Sequence, residues 1–124
     1  MNLFLDTNIV IYFLKGVVEA VELIKNAERL AISFITEIEL LCYDVKDEEK
    51  RNIQKFLDSI DIYYPDSEIS INSAYIRNKT GLKLPDAIIC AQSHRNNFIL
   101  ATADKEILKN RNSFKVINPF EQME

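Results

Sequence analysis

The chain has 124 residues, of which 48% are hydrophobic and 27% charged, with only two glycines and three prolines. That composition excludes a disordered or fibrous protein and is expected to form one domain, residues 1–124, large enough to remove roughly two-thirds of its unfolded surface from water. A net charge of −4 argues against a protein that holds nucleic acid by bulk electrostatics. A nucleic-acid enzyme with this balance needs metal ions, a local basic patch or a basic partner.

No apolar stretch approaches the ~20 residues of a membrane span, and the N-terminus lacks the basic region and cleavage site of a signal peptide, so a cytoplasmic protein without membrane contact is expected. Cys42 and Cys90 lie inside apolar helical patterns without metal-ligand spacing. Both read as small buried hydrophobes in a reducing compartment.

The first predicted element is a strand at Leu3–Leu5 that stops at Asp6-Thr7-Asn8. In open α/β sheets ligands bind outside the carboxyl ends of strands, so Asp6 is placed for chemistry. Asp, Thr and Asn are also ordinary helix N-caps, and taken alone Asp6 reads better as a cap. A short helix from about Ile9 to Leu14 follows and ends at Lys15-Gly16; Val17, Ala20, Val21 and Ile24 then recur at helical spacing through Asn26. Residues 29–32 form a short strand. From Ile35 to Val45 the pattern is helical, with Ile35, Ile38, Leu41, Cys42 and Val45 on one face.

Asp47 is expected to cap the next helix, whose buried stripe is Ile53, Phe56, Leu57 and Ile60. Ile60–Tyr63 can form a strand closed by Pro65, and Asp66 to Lys79 is helical with Gly81 as its C-cap. Pro85 suits the first position of a helix running to about Arg95, and that helix has no polar face and should be buried on most sides. Phe98–Ala101 is a buried strand, followed by Thr102-Ala103-Asp104, a short helix to about Leu108, and a last strand at Lys115–Ile117. Strands alternating with helices imply crossover connections, and hence an α/β fold with a mostly parallel four- to five-stranded sheet between helices on both faces.

Four acids stand beside apolar elements rather than on an obvious solvent face: Asp6, Glu39, Asp86 and Asp104. A sheet of this kind can bring them to one rim. Two carboxylates ~4 Å apart repel by about 4 kcal/mol at an effective dielectric of 20, and hard divalent cations offset that repulsion. Such ions activate water and stabilise the leaving oxygen of a phosphodiester, so metal-dependent phosphodiester hydrolysis is the chemistry the set suits. Each acid has a plainer reading. Asp86 can oppose a helix dipole, Asp104 can cap the following helix, and periodicity does not choose between Glu37 and Glu39.

Arg77, Lys79 and Lys83 precede Asp86 and read equally as a local basic patch for RNA or as a solvated helix end. His94, the only histidine, reads as a surface residue in the last turn of its helix. Tyr12, Tyr43 and Tyr75 read as partial core before they read as base-stacking residues.

Leu5-Asp6-Thr7-Asn8, the segment Ser33 to Leu40, Leu84-Pro85-Asp86-Ala87 and Ala101-Thr102-Ala103-Asp104 occur in this order through nearly the whole chain. In this conjunction the sequence resembles a PIN-domain protein, of the small single-domain kind typified by VapC toxins of prokaryotic toxin–antitoxin systems. The resemblance implies a three-layer α/β/α sandwich and a Mg²⁺- or Mn²⁺-dependent endoribonuclease. It maps the acids onto Asp6, Glu39 (through Thr36-x-x-Glu39-Leu40), Asp86 and Asp104, with Asp6 and Asp86 the firmest metal ligands. Asn8 and Thr102 would orient carboxylates or substrate, with Lys83 beside them. An RNA substrate, a cognate antitoxin and a homodimer are implied as partners. A PIN-fold binding module, or a housekeeping nuclease outside a toxin–antitoxin pair, is the alternative. The family's frequent Gly after the Glu-Leu pair is replaced here by Leu41-Cys42-Tyr43.

Overall fold

The structure, a computed structural model, describes residues 1–121. The elements run β1 (Asn2–Leu5), α1 (Thr7–Leu14), α2 (Val18–Lys25), β2 (Arg29–Ser33), α3 (Phe34–Leu41), α4 (Asp47–Ser59), β3 (Asp61–Tyr63), α5 (Ser67–Thr80), α6 (Leu84–Arg95), β4 (Ile99–Ala101), α7 (Lys105–Leu108) and β5 (Val116–Ile117). The strands form one five-stranded sheet in the order β3-β2-β1-β4-β5, and every pairing is parallel. This is the α/β/α fold expected from the alternation of strands and helices.

Strand periodicity divides the interior. Leu3 and Leu5 point to one face of the sheet and Phe4 to the other, as do Ile32 and Ala31 on β2 and Ala101 and Leu100 on β4. One apolar cluster joins Leu3, Leu5 and Ile32 to Ile9, Val10, Ile24, Leu40 and Phe56, from α1 to α4. The other joins Phe4 and Leu100 to Ile69, Ile76, Ile89 and Cys90 of α5 and α6. Both faces of β1 are therefore covered, which is why its run is continuously apolar rather than alternating. Burying a side chain such as Phe4 stabilises the fold by about 1.5–3 kcal/mol.

The chain winds from β1 outward through β2 to β3, then crosses to the opposite side of β1 to add β4 and β5. The order reverses at β1, and the carboxyl ends of β1 and β4 flank that reversal. Punctuation follows the sequence signals. Gly81 takes φ +74° after α5, and its N–H bonds to the Arg77 carbonyl. Pro85 lies in the first turn of α6, at its second rather than its first position.

The third helix departs from its reading. It ends at Leu41, and its buried residues are Thr36 and Leu40, while Ile38 and Leu41 are 50% and 60% exposed. Cys42 is exposed as well, whereas Cys90 is buried. Of the apolar stripe, Ile38, Leu41 and Cys42 lie on the surface, while Ile35 and Val45 pack against the two clusters; Thr36 and Leu40 turn inward instead, Thr36 meeting Thr7 of α1. Two smaller corrections concern Asp47, which occupies the first helical position behind Lys46, and Tyr43 and Tyr75, which are exposed rather than partial core. No helix among the described residues is long and apolar enough to cross a membrane.

Candidate active site at the carboxyl ends of β1 and β4

Asp6 leaves β1 with its backbone N–H still bonded to the Ala101 carbonyl at 3.0 Å, so the sheet ladder fixes its position. It is the N-cap of α1, and its side chain accepts from the Thr7 N–H at 2.9 Å. Its second oxygen accepts from the Thr102 hydroxyl at 2.8 Å. Thr102 is wholly buried at the end of β4, and its oxygen also accepts from the Asp104 N–H at 3.0 Å. One threonine thus ties the acid after β1 to the acid after β4. Asp104 in turn caps α7, its Oδ1 accepting from the N–H groups of Glu106 and Ile107. Capping and convergence on the rim coexist in both aspartates.

Glu39 reaches the same region from α3, where its Oε1 accepts from the Thr7 hydroxyl at 2.7 Å. Glu37 is turned elsewhere and accepts from the Tyr64 hydroxyl at 2.9 Å. The structure therefore separates the two glutamates that periodicity could not. Asp86 lies in the first turn of α6, half-buried.

The acids feel one another. Burial is the main reason that the Asp6 carboxyl is pushed up from its ordinary 3.8 to about 6; the bonds from Thr102 and Thr7 oppose this, and the charges of Asp86 and Asp104 add to it. Asp86 is raised by burial first, then by Asp104 and Glu39, while Lys83 draws it down. The Cys90 thiol, one turn beyond Asp86, is pushed up to about 12 by burial and by the charges of Asp6, Asp86 and Asp104, so it stays protonated and is no thiolate.

Asn8 is exposed and makes no side-chain hydrogen bond among the described residues; the capping sits on Asp6. Lys83 stands immediately before α6, exposed beside Asp86. Arg77 and Lys79 are exposed at the end of α5, with the Lys79 ammonium 5.8 Å above the Tyr75 ring. His94 is exposed in the last turn of α6, edge-on to Phe114. Thr7 and Thr36, both buried, lie inside the motifs of Asp6 and Glu39 with no role of their own assigned from the sequence. Thr36 lies three positions before Glu39 and so shares its helix face.

The donor set fits a hard divalent cation. Every donor is a carboxylate oxygen, and among the described residues Asp104 Oδ2, Glu39 Oε2 and both oxygens of Asp86 accept no protein hydrogen bond. Among the described residues no three potential ligands stand close enough to clasp one ion by themselves. An ion that keeps several waters and takes one or two carboxylates directly, as Mg²⁺ does, needs no such cluster.

The model of the PIN domain family matches residues 3–112. A search of curated proteins found no match. Among solved structures, a toxin–antitoxin complex from Klebsiella pneumoniae contains a chain with 30% identity and a TM-score of 0.84, covering 98% of this chain and 100% of that one. VapBC-1 from nontypeable Haemophilus influenzae matches at 23% identity and TM-score 0.78, over 98% of this chain and 100% of that one. VapBC2 from Rickettsia felis, bound to a promoter DNA fragment, matches at 20% and 0.78, over 95% and 98%. The latter two share the fold. With its motifs, its sheet order and a family match over most of its length, the chain belongs to the PIN domain family.

Proposed function

We propose that this chain is a single-domain, Mg²⁺- or Mn²⁺-dependent endoribonuclease and the toxin of a cytoplasmic toxin–antitoxin pair. The observation that carries the reading is Asp6: a buried carboxylate, held by Thr102 and Thr7, whose charged form is further disfavoured by two neighbouring acids. Such an arrangement is costly to a protein that does not use it. Asp6, Glu39, Asp86 and Asp104 would hold the ion. When bound, a dication supplies Lewis-acid charge for water activation and for the phosphate oxygens.

The protein's own groups do the rest. Thr102 holds Asp6 and Asp104 in register, so that two carboxylates from neighbouring strands act on one phosphodiester. The α7 N–H groups retain Asp104 through Oδ1 and leave Oδ2 for the site. Lys83 offers a cation at the rim for an RNA phosphate, in a chain whose overall charge does not attract one.

The partner part of the reading is supported by the Klebsiella relative, a component of a toxin–antitoxin complex, and by apolar surface left uncovered. Ile38, Leu41 and Tyr43 are exposed, and Tyr43 lines a groove of about 360 Å³ with Ile11, Leu14, Leu40, Val45 and Ile53. An antitoxin segment or a second protomer would cover such surface.

The test is cleavage of structured RNA by purified protein in Mg²⁺ or Mn²⁺, beside Asp6→Asn and Asp86→Asn. Cleavage by the wild type alone, abolished by chelator, is expected. Equal cleavage by all three proteins, or cleavage in excess chelator, overturns the assignment.

A further inference from the structure

We infer that Thr7 is the positioning residue for Glu39, through a hydroxyl relay that begins at Thr36; the inference rests on the proposed metal site. The Thr7 hydroxyl lies 2.7 Å from Glu39 Oε1 and 3.0 Å from the Thr36 hydroxyl. A hydroxyl carries one proton, and a carboxylate has none to give. The Thr7 proton therefore goes to Glu39, as the shorter, charge-assisted bond requires. The proton between the two hydroxyls must come from Thr36, which donates to Thr7. The direction of the relay is fixed: Thr36 to Thr7 to Glu39.

The consequence lies in the contrast between these side chains. Thr36 is fully buried and Thr7 is 9% exposed, so neither exchanges freely with water. Glu39 is exposed and, in solvent, a glutamate samples many rotamers, so holding one costs side-chain entropy. The rigid relay anchors one oxygen and leaves Oε2 for the site. Thr7 also joins two acids by different atoms, its N–H to Asp6 and its hydroxyl to Glu39. A side-chain substitution at Thr7 therefore releases Glu39 while the backbone bond to Asp6 remains.

The experiment is Mn²⁺ affinity of the full chain by calorimetry, with RNA cleavage as a second readout. Thr7→Val should weaken Mn²⁺ binding and lower kcat by about 10–100-fold, the range for losing a group that orients a metal ligand. The KM for RNA should stay nearly unchanged. Thr7→Ser, which keeps the hydroxyl, should recover most of the loss. In a Glu39→Ala background Thr7→Val should add nothing. If Thr7→Val does not fold, Thr7→Cys carries the same comparison, since a thiol is a poor donor. The relay is overturned if the Val or Cys variant binds Mn²⁺ as wild type does, if Ser fails to recover the loss, or if the full loss persists without Glu39. Absence of Mn²⁺ binding by the wild type overturns the metal site and the relay together, whereas wild-type binding with an unaffected Thr7→Val removes only the relay.

Discussion

Asp6 and Asp66 do the same local job in opposite surroundings. Each is the N-cap of a helix, and each accepts a hydrogen bond from a backbone N–H near the start of that helix. Asp66 is exposed and meets the Arg95 guanidinium at 2.7 Å through both oxygens; Arg95 also pairs with Glu68. These bonds hold its carboxyl below the ordinary range. Asp6 is buried, has acids rather than a cation for charged neighbours, and is pushed up to about 6. Charge satisfied locally belongs to the architecture, and charge left unsatisfied in a buried place marks a site.

The widest separation of the two should appear in activity. Asp6→Asn is expected to reduce RNA cleavage by at least ~100-fold, above the effect of losing an outer partner of a metal ligand. Asp66→Asn should leave cleavage within about twofold, the scale of a surface change. Rate measurements under single-turnover conditions would break the comparison if the two variants lost activity alike.

Next in size is the pH dependence of stability without metal. For Asp6 the folded pKa exceeds the unfolded one, so between 3.8 and about 6 the folded state holds more protons than the unfolded state. Stability from this group is present below pH 4 and is lost as pH rises through 6, about 3 kcal/mol in all. Asp66 has the opposite sign, contributing above its unfolded pKa and losing that contribution as pH falls. Denaturant unfolding from pH 4 to 8 should therefore show a falling component that Asp6→Asn removes. That variant should be more stable than wild type at pH 8 while being inactive, since stability and function pull apart at such a residue. An unchanged pH profile in Asp6→Asn would dissociate the acid from the burial cost assigned to it.

The same contrast recurs in the two glutamates of α3. Glu39→Gln should lower cleavage by about 10–100-fold, and Glu37→Gln, which loses only a surface bond to Tyr64, should stay within about twofold. Equal losses would mean that both glutamates serve the site. The smallest effect is expected at Cys42, which is exposed and outside the acid rim: Cys42→Ser should leave cleavage unchanged within about twofold.

The sheet and its order of layers were legible because β1, β2 and β4 are buried on both faces and therefore read as continuous apolar runs. Gly81 and Pro85 marked helix ends for simple conformational reasons. The face of α3 was not legible. Ile38 and Leu41 satisfy a helical period yet stay exposed, because periodicity reports that a face is apolar and does not report what covers it. The third helix turns instead about Thr36 and Leu40, and Thr36 meets Thr7 from 29 residues away. Asp6 does cap α1, as its place in the sequence suggests, while Asn8, expected to orient a carboxylate or substrate, stands in solvent. Short-range rules could name every aspartate as a cap; only the fold distinguishes Asp66, beside Arg95, from Asp6, beside Asp86 and Asp104.

The central claim is that the rim acids hold a divalent cation through Asp6. Calorimetric titration of Mn²⁺ into wild type, Asp6→Asn and Asp66→Asn at pH 8 tests it without reference to any substrate. The account predicts saturable binding to wild type and to Asp66→Asn, with affinity for Asp6→Asn weaker by at least ~10-fold. Indistinguishable isotherms for wild type and Asp6→Asn would contradict it.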